Sequence, residues 1–340
     1  YQLLDNGAVL DPSPDVIPDP IPNPNPNRDY NKTTNDTEYN FTDIYAGVRY
    51  RLKNGIFTFT PGFTLHSYNS NNTQYGTEFF KDKFEKILPE FEVVAQFKTS
   101  ESLTFTYKEE VNFTDVNQIA RGIVANSYNS FFAGSSDLVN ASFHNLSLFY
   151  RSFNLFNASN VFARVSYTKT ADQVNRNTIF QPNSVVSSST NLNSPLDNEN
   201  LNAFARIGKT IKKIRMSLGG NFSYTKSYQF INSKENTNEN ISRGLNSSIG
   251  TNFIKAPNVS LRYNLNFNDQ SNTARAEDIK TVSHAPSINF DAYIWNSLTV
   301  KSDFSYNETR QEGSVINSFQ IWNASLAYRK IEMLNSNTNW

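Results

Sequence analysis

Five side chains in this sequence have the chemistry of ligand capture: Asp115, Arg121, Tyr128 and Phe131 within one polar stretch from 112 to 136, and Arg164 in an alternating segment beyond it. A carboxylate, two guanidiniums and two aromatic rings can hold a ligand through charge-assisted hydrogen bonds and stacking. Loop packing accounts for any one of them equally well. Catalytic arrangements are lacking. The three histidines, His66, His144 and His284, fall on different segments without metal-ligand spacing. No phosphate loop, nucleophile elbow or zinc-protease helix occurs. Asp11, Asp15 and Asp19 lack the glycine turn and terminal glutamate of a calcium loop. With no cysteine in the chain, thiolate chemistry and disulfides are excluded. The expectation is a binding protein, not an enzyme, with no cofactor and no metal.

Composition narrows the class. Of 340 residues only 38% are hydrophobic, yet 14% are aromatic, with 27 Phe and 17 Tyr. Asparagine makes up roughly one residue in seven, far above ordinary usage. Disorder accounts for the asparagine but not for the rings, which disordered chains lack. Basic and acidic residues balance at 31 each, which removes a general electrostatic reason for nucleic acid as partner. No apolar run approaches the ~20 residues of a membrane helix. A membrane-spanning strand needs only ~10 alternating residues, which is compatible with a mean hydropathy of −0.55.

The elements that would position the five residues are strands. Leu146, Leu148 and Tyr150 alternate with Ser147, Phe149 and Arg151; after a short link from Phe153 to Ala158, Val161, Ala163, Val165 and Tyr167 alternate with Arg164, Ser166 and Thr168. One face is oily and the other mostly wet. The pattern begins at Thr42, with Ile44, Ala46 and Val48 opposite Tyr45 and Arg49, and passes an Asn54-Gly55 turn. It recurs to Tyr328, giving about fourteen strands joined by connections that read as alternately short and long. The long ones fall at 67–83, 112–136, 171–200 and 232–240. Arg49, Glu92, Lys98, Lys108, Arg151, Arg164, Arg206, Arg262, Lys301 and Asp303 all fall opposite the apolar residues. A charge facing mid-bilayer lipid costs roughly 2–4 kcal/mol, so this segregation selects an all-β, antiparallel transmembrane β-barrel with short periplasmic turns and long extracellular loops. Tyrosines near strand ends suit interfacial belts. Residues 1–38 carry seven closely spaced prolines from Pro12 to Pro26 and read as a Pro/Asn-rich extracellular loop, leaving 39–340 as the barrel segment.

Gly134, Ser135, Ser136, Asp137 and Leu138, followed by His144, Asn145, Leu146, Ser147, Leu148 and Tyr150, resemble a segment of the Bacteroidota outer-membrane β-barrel proteins of the TonB-dependent receptor type. Members often show Gly-Asn-Pro-x-Leu-x-Pro-Glu and then His-Asn-Leu-Ser-Leu-x-Tyr. Ser135, Ser136, Asn140 and Ala141 depart from the first motif, and Thr106-Tyr107 with Asn117-Gln118-Ile119 are a weaker echo. The resemblance implies a larger barrel of about 22 strands, of which this chain is the later part, with a plug and a TonB contact supplied outside it. The implied function is nutrient capture at extracellular loops and passage through the lumen, in the bacterial outer membrane, with outer-membrane lipid as the surrounding partner. The alternatives are a non-transporting surface barrel or adhesin and, in a different class, a secreted glycan-binding β-sandwich.

Overall fold

The computed structural model describes residues 36–254, 257–294 and 298–328. Most of the proline-rich stretch, Ala256, the turn at Asn296 and Ser297, and Trp340 lie outside the described residues. Strands arise wherever β-branched and aromatic residues alternate with Thr, Ser and Asn, since such side chains pack well on a pleated surface. In chain order they are β1 (Thr37–Arg49), β2 (Leu52–Asn54), β3 (Phe57–Gln74), β4 (Thr77–Lys98) and β5 (Glu101–Asn112). A one-turn helix α1 (Val116–Ile119) and two short strands, β6 (Val124–Ser127) and β7 (Ser130–Ala133), follow. Next come β8 (Ala141–Asn154), β9 (Ser159–Ala171), β10 (Val174–Phe180), β11 (Ser187–Asn193), β12 (Asn198–Ile211) and β13 (Ile214–Ile231). The last are β14 (Lys234–Thr251), β15 (Asn258–Asn272), β16 (Ile279–Ile294), β17 (Leu298–Gln311) and β18 (Ser314–Tyr328).

All belong to one sheet. β2 pairs with β3 just beyond β1, and β6, β7, β10 and β11 belong to two connections, which leaves thirteen long strands in an antiparallel meander. Each pairs with the next along the chain, β5 with β8 and β9 with β12 across the two connections. Strands of up to 22 residues far exceed the ~5–6 usual in soluble sandwiches.

Register fixes the faces, because residues directly opposite one another point the same way. Ile44, Ala46 and Val48 of β1 stand opposite Ser67, Leu65 and Phe63 of β3. Leu103, Phe105 and Tyr107 stand opposite Tyr150, Leu148 and Leu146, which stand opposite Ala163, Val165 and Tyr167. This face is apolar and open to the surroundings: Ile44 is 70% exposed and Leu218 51%. Among the described residues only nine apolar side chains are buried, too few for the interior of a soluble domain of this length. On β13 the apolar face runs from Ile214 to Tyr224. At ~3.4 Å per residue and a tilt near ~40°, that is a band about 26 Å tall, close to the ~25 Å that a bilayer's hydrocarbon demands.

The rims of the band are polar. One row above it, Glu109, His144, Lys169, Glu199, Lys226 and Glu239 stand opposite one another on six successive strands. Rim tyrosines reach up to such groups, Tyr107 Oη to His144 Nδ1 at 3.1 Å and Tyr263 Oη to His284 Nδ1 at 2.7 Å. At the other rim Tyr150 Oη donates to Glu101 Oε1 at 2.8 Å. Amphipathic rings pointing outward at both edges are the interfacial belts of a membrane protein. The chain is the wall of an outer-membrane β-barrel. No helix among the described residues is long and apolar enough to cross a membrane, so the crossing is made by strands.

Two expectations need correction. The connections at the upper rim are not uniformly long. Stretches read as loops at 67–83 and 232–240 are continuous strand, closed by two-residue turns at Tyr75-Gly76 and Asn232-Ser233. In both turns the two central residues have positive φ, 53° and 72° at the first, 51° and 59° at the second, the geometry whose twist matches a hairpin. Hairpins therefore project past the membrane where loops were expected. The described residues hold thirteen long strands against the about fourteen expected, and Arg243 lies on the apolar face rather than opposite it, where it pairs with Asp269 near the upper rim.

Candidate functional site

The polar face carries the ligand chemistry, and it has three regions. On β1 to β5 most of the charged groups are paired with each other. Arg49 is forked onto Glu90, with Nη2 to Oε2 at 2.8 Å. His66 Nδ1 lies 3.0 Å from both carboxylate oxygens of Asp43, and Lys108 Nζ lies 2.6 Å from Glu110. His66 stacks between Tyr45 and Tyr68, with ring centroids at 5.2 and 5.3 Å. These groups border an open cleft of about 250 Å³ lined by Tyr45, Arg49, Thr64, His66, Glu90 and Phe113. Its charge is already balanced, so it offers ring faces and hydrogen bonds rather than a net field.

The second region is a cap. Residues between β5 and β8 fold over the polar face at the upper end of β3. Asp115 is the N-cap of α1: its carboxylate accepts from Asn117 N at 2.7 Å, and Gln118 Oε1 accepts from Asp115 N at 2.9 Å, a complete capping box. Gln74, wholly buried, bonds the backbone of Ile119 and Arg121. Phe113 packs on Phe41 and Tyr68 at centroid distances of 4.3 and 4.8 Å. The segment between β9 and β12 joins this cap: β7 pairs in parallel with β11, β11 pairs antiparallel with β10, and β10 runs parallel to the top of β13. The strands of the two connections thus extend the sheet at the outer end of the wall, while Phe113 and the α1 segment pack against its polar face there.

The third region lies lower, on β8, β9 and β12. Arg164 stands between Phe149 and Phe204, and one row down Phe162 stands between Arg151 and Arg206.

These positions separate the five expected contact residues. Asp115 is committed to capping α1. The backbone of Arg121 is held by Gln74. Tyr128 projects from the β6–β7 turn and is 90% exposed, whereas Phe131 is half-buried in β7 opposite Ser188 of β11. Arg164 is on the wall itself. The structure does not gather the five into one site. It groups Arg164 instead with Arg151 and Arg206, which alternation places on the wet face but only cross-strand register brings together. Among the described residues no cluster of three or more His, Asp or Glu is placed to hold a metal ion.

No protein-family model and no curated protein matches this sequence. Among solved structures, OmpT, an outer membrane protein of Vibrio cholerae, aligns over 86% of this chain and 96% of its own at 9% identity and a TM-score of 0.29. FpvA of P. aeruginosa, in complexes with heterologous pyoverdines, aligns over 89% of this chain and 54% of its own at 9% identity and a TM-score of 0.32. FpvAI in its complex with pyocin S2 gives the same identity and TM-score over 55% of its length. Similarity at this level carries nothing about activity, and the membrane assignment above rests on the two faces of the sheet.

Proposed function

We propose that this chain is the wall of an outer-membrane receptor that captures a nutrient at its outer end and passes it along the polar face, with a plug and a TonB contact supplied from outside the chain. The observation that carries the reading is the cap. A polar wall whose outer end is covered on β1 and β3 by Phe113 and the α1 segment suits gated passage better than an open pore. The cleft of Tyr45, Arg49, His66 and Glu90 lies beside Phe113, which leads into that cover, so a ligand entering there meets ring faces and paired charges at once. The TonB-dependent part of the reading draws on the resemblance of Gly134–Leu138 and His144–Tyr150 described above.

The test is uptake by cells with the gene deleted or restored, supplied with radiolabelled pools of metal chelates, glycans and peptides, with and without an uncoupler. Uptake of one pool that needs both the gene and the proton gradient supports the receptor. Uptake indifferent to the gene overturns it. A second reading, a non-transporting surface barrel, is favoured by the exposed Tyr128, Phe180 and Val185 on the outer connections. Gene-dependent adhesion without gene-dependent uptake would establish it.

A further inference from the structure

The polar face is not uniform in charge. On β1 to β5 its carboxylates, Asp43, Glu90, Glu92 and Glu110, stand among its cations, and on β16 and β17 Asp291 and Asp303 stand beside Lys301. On β8, β9, β12, β13, β14 and β15 the register puts no carboxylate on this face within the described residues. It puts arginines there: Arg151, Arg164, Arg206, Arg215 and Arg262. Three of them form a checkerboard with phenylalanine, Phe149–Arg164–Phe204 above Arg151–Phe162–Arg206. Arg151 Nε donates to Ser102 Oγ at 3.0 Å and Arg206 Nη2 to Ser217 Oγ at 3.3 Å, and among the described residues none of the three has an ion-pair partner.

The spacing has a physical meaning. Like charges directly opposite one another destabilise a sheet, and here each arginine faces a ring. Diagonal neighbours in such an array stand ~7–8 Å apart, within reach of long side chains. The free wall therefore tolerates the three cations, and their guanidiniums can still converge on one anion, each presenting a fork suited to carboxylate or phosphate. The intervening rings supply apolar faces for the rest of the ligand.

We propose that the β8–β9–β12 checkerboard is a binding site for a solute bearing two or more anionic groups on a planar, apolar body. The site rests on the reading of this face as a lumen wall and deepens it by naming the class of cargo. Neutral oligosaccharides and cationic solutes are excluded as its occupants.

The test uses the full chain refolded in neutral detergent, with calorimetric titration of benzene tricarboxylate, citrate and maltose at low salt. The expected order is tricarboxylate over citrate, with no heat from maltose and weakening of both anions at high salt. Arg164→Gln should weaken the tricarboxylate about 10-fold, the effect of one charge-assisted contact of ~1.4 kcal/mol. Arg151→Gln with Arg206→Gln should abolish binding, Phe162→Ala should erase the preference for tricarboxylate over citrate, and Lys169→Gln, on the other face, should change nothing. Equal binding of maltose, or equal loss with Lys169→Gln, overturns the site. Partition of the same refolded samples into vesicles separates the two ideas. Protein that inserts and shows no anion preference overturns the site alone, whereas protein that stays in water overturns the lumen on which it depends.

Discussion

The side chain of Gln74 at the tip of β3 is locked to the backbone of Ile119 at the end of α1: Nε2 donates to the Ile119 carbonyl at 3.1 Å, while Oε1 accepts from Arg121 N at 3.0 Å. One wholly buried amide thus satisfies an acceptor and a donor of the cap. Leaving buried polar groups unpaired costs ~1–3 kcal/mol, so Gln74→Leu should loosen the cap by about 2 kcal/mol while the sheet stays folded. Trypsin cleavage after Arg121 reads this directly, and it should quicken roughly 30-fold where opening limits cleavage. Unchanged protection would mean that the cap is held elsewhere.

Gly134 makes the second joint. Its N–H donates to Ala120 O at 2.8 Å, and a Cβ there would stand 2.5 Å from the carbonyl oxygens of both Ala120 and Gln118, backbone atoms that cannot swing aside. Gly134→Ala should therefore undock the same cap at a cost of about 1–3 kcal/mol. Because both substitutions break one docking surface, combining them should give less than the sum of the single effects in the trypsin assay. Full additivity would show two independent locks.

The two faces were legible because period-two alternation over ten or more residues leaves few alternatives. Leu146, Leu148 and Tyr150, and Val161 through Tyr167, lie where alternation puts them. Above the membrane the signal vanishes. Ser67 to Gln74 is polar on both faces, so the run reads as loop although it is strand, and the closing pairs Tyr75-Gly76 and Asn232-Ser233 lack the Asn-Gly signature of their turn type. The site was legible in part, for a similar reason. Arg164 announces itself as a cation on a wet face. Its grouping with Arg151 and Arg206 depends on register across β8, β9 and β12, which no local pattern encodes. Asp115 proves to cap α1, a role the sequence alone does not separate from ligand binding, because both use a carboxylate and only the backbone N–H groups around it tell them apart.

Depth can be mapped without background, since the chain has no cysteine. Single substitutions Leu218→Cys, Ser217→Cys and Lys226→Cys, each carrying an environment-sensitive fluorophore, sample the apolar band, the polar face and the charged rim of one strand, β13. In vesicles, tail-linked quenchers should reach the probe at 218, a water-soluble quencher the probe at 217, and a headgroup-linked quencher the probe at 226. Quenching of 217 and 218 by the same reagent would mean that β13 does not divide lipid from water.

The sharpest test of the faces uses two adjacent residues on β8. Leu148 is 41% exposed on the apolar face, opposite Phe105 and Val165, and lies near mid-band. Ser147 points the other way, opposite Thr106 and Ser166. Leu148→Arg places a guanidinium in hydrocarbon, where mid-bilayer arginine costs ~2–4 kcal/mol. Ser147→Arg adds a cation to a polar wall and should cost less than about 0.5 kcal/mol. Denaturant unfolding from vesicles should show this difference, and insertion yield should fall for Leu148→Arg alone. Equal losses would invert or dissolve the assignment of faces, and the arginine checkerboard with it, since Arg164 shares the side of Ser147.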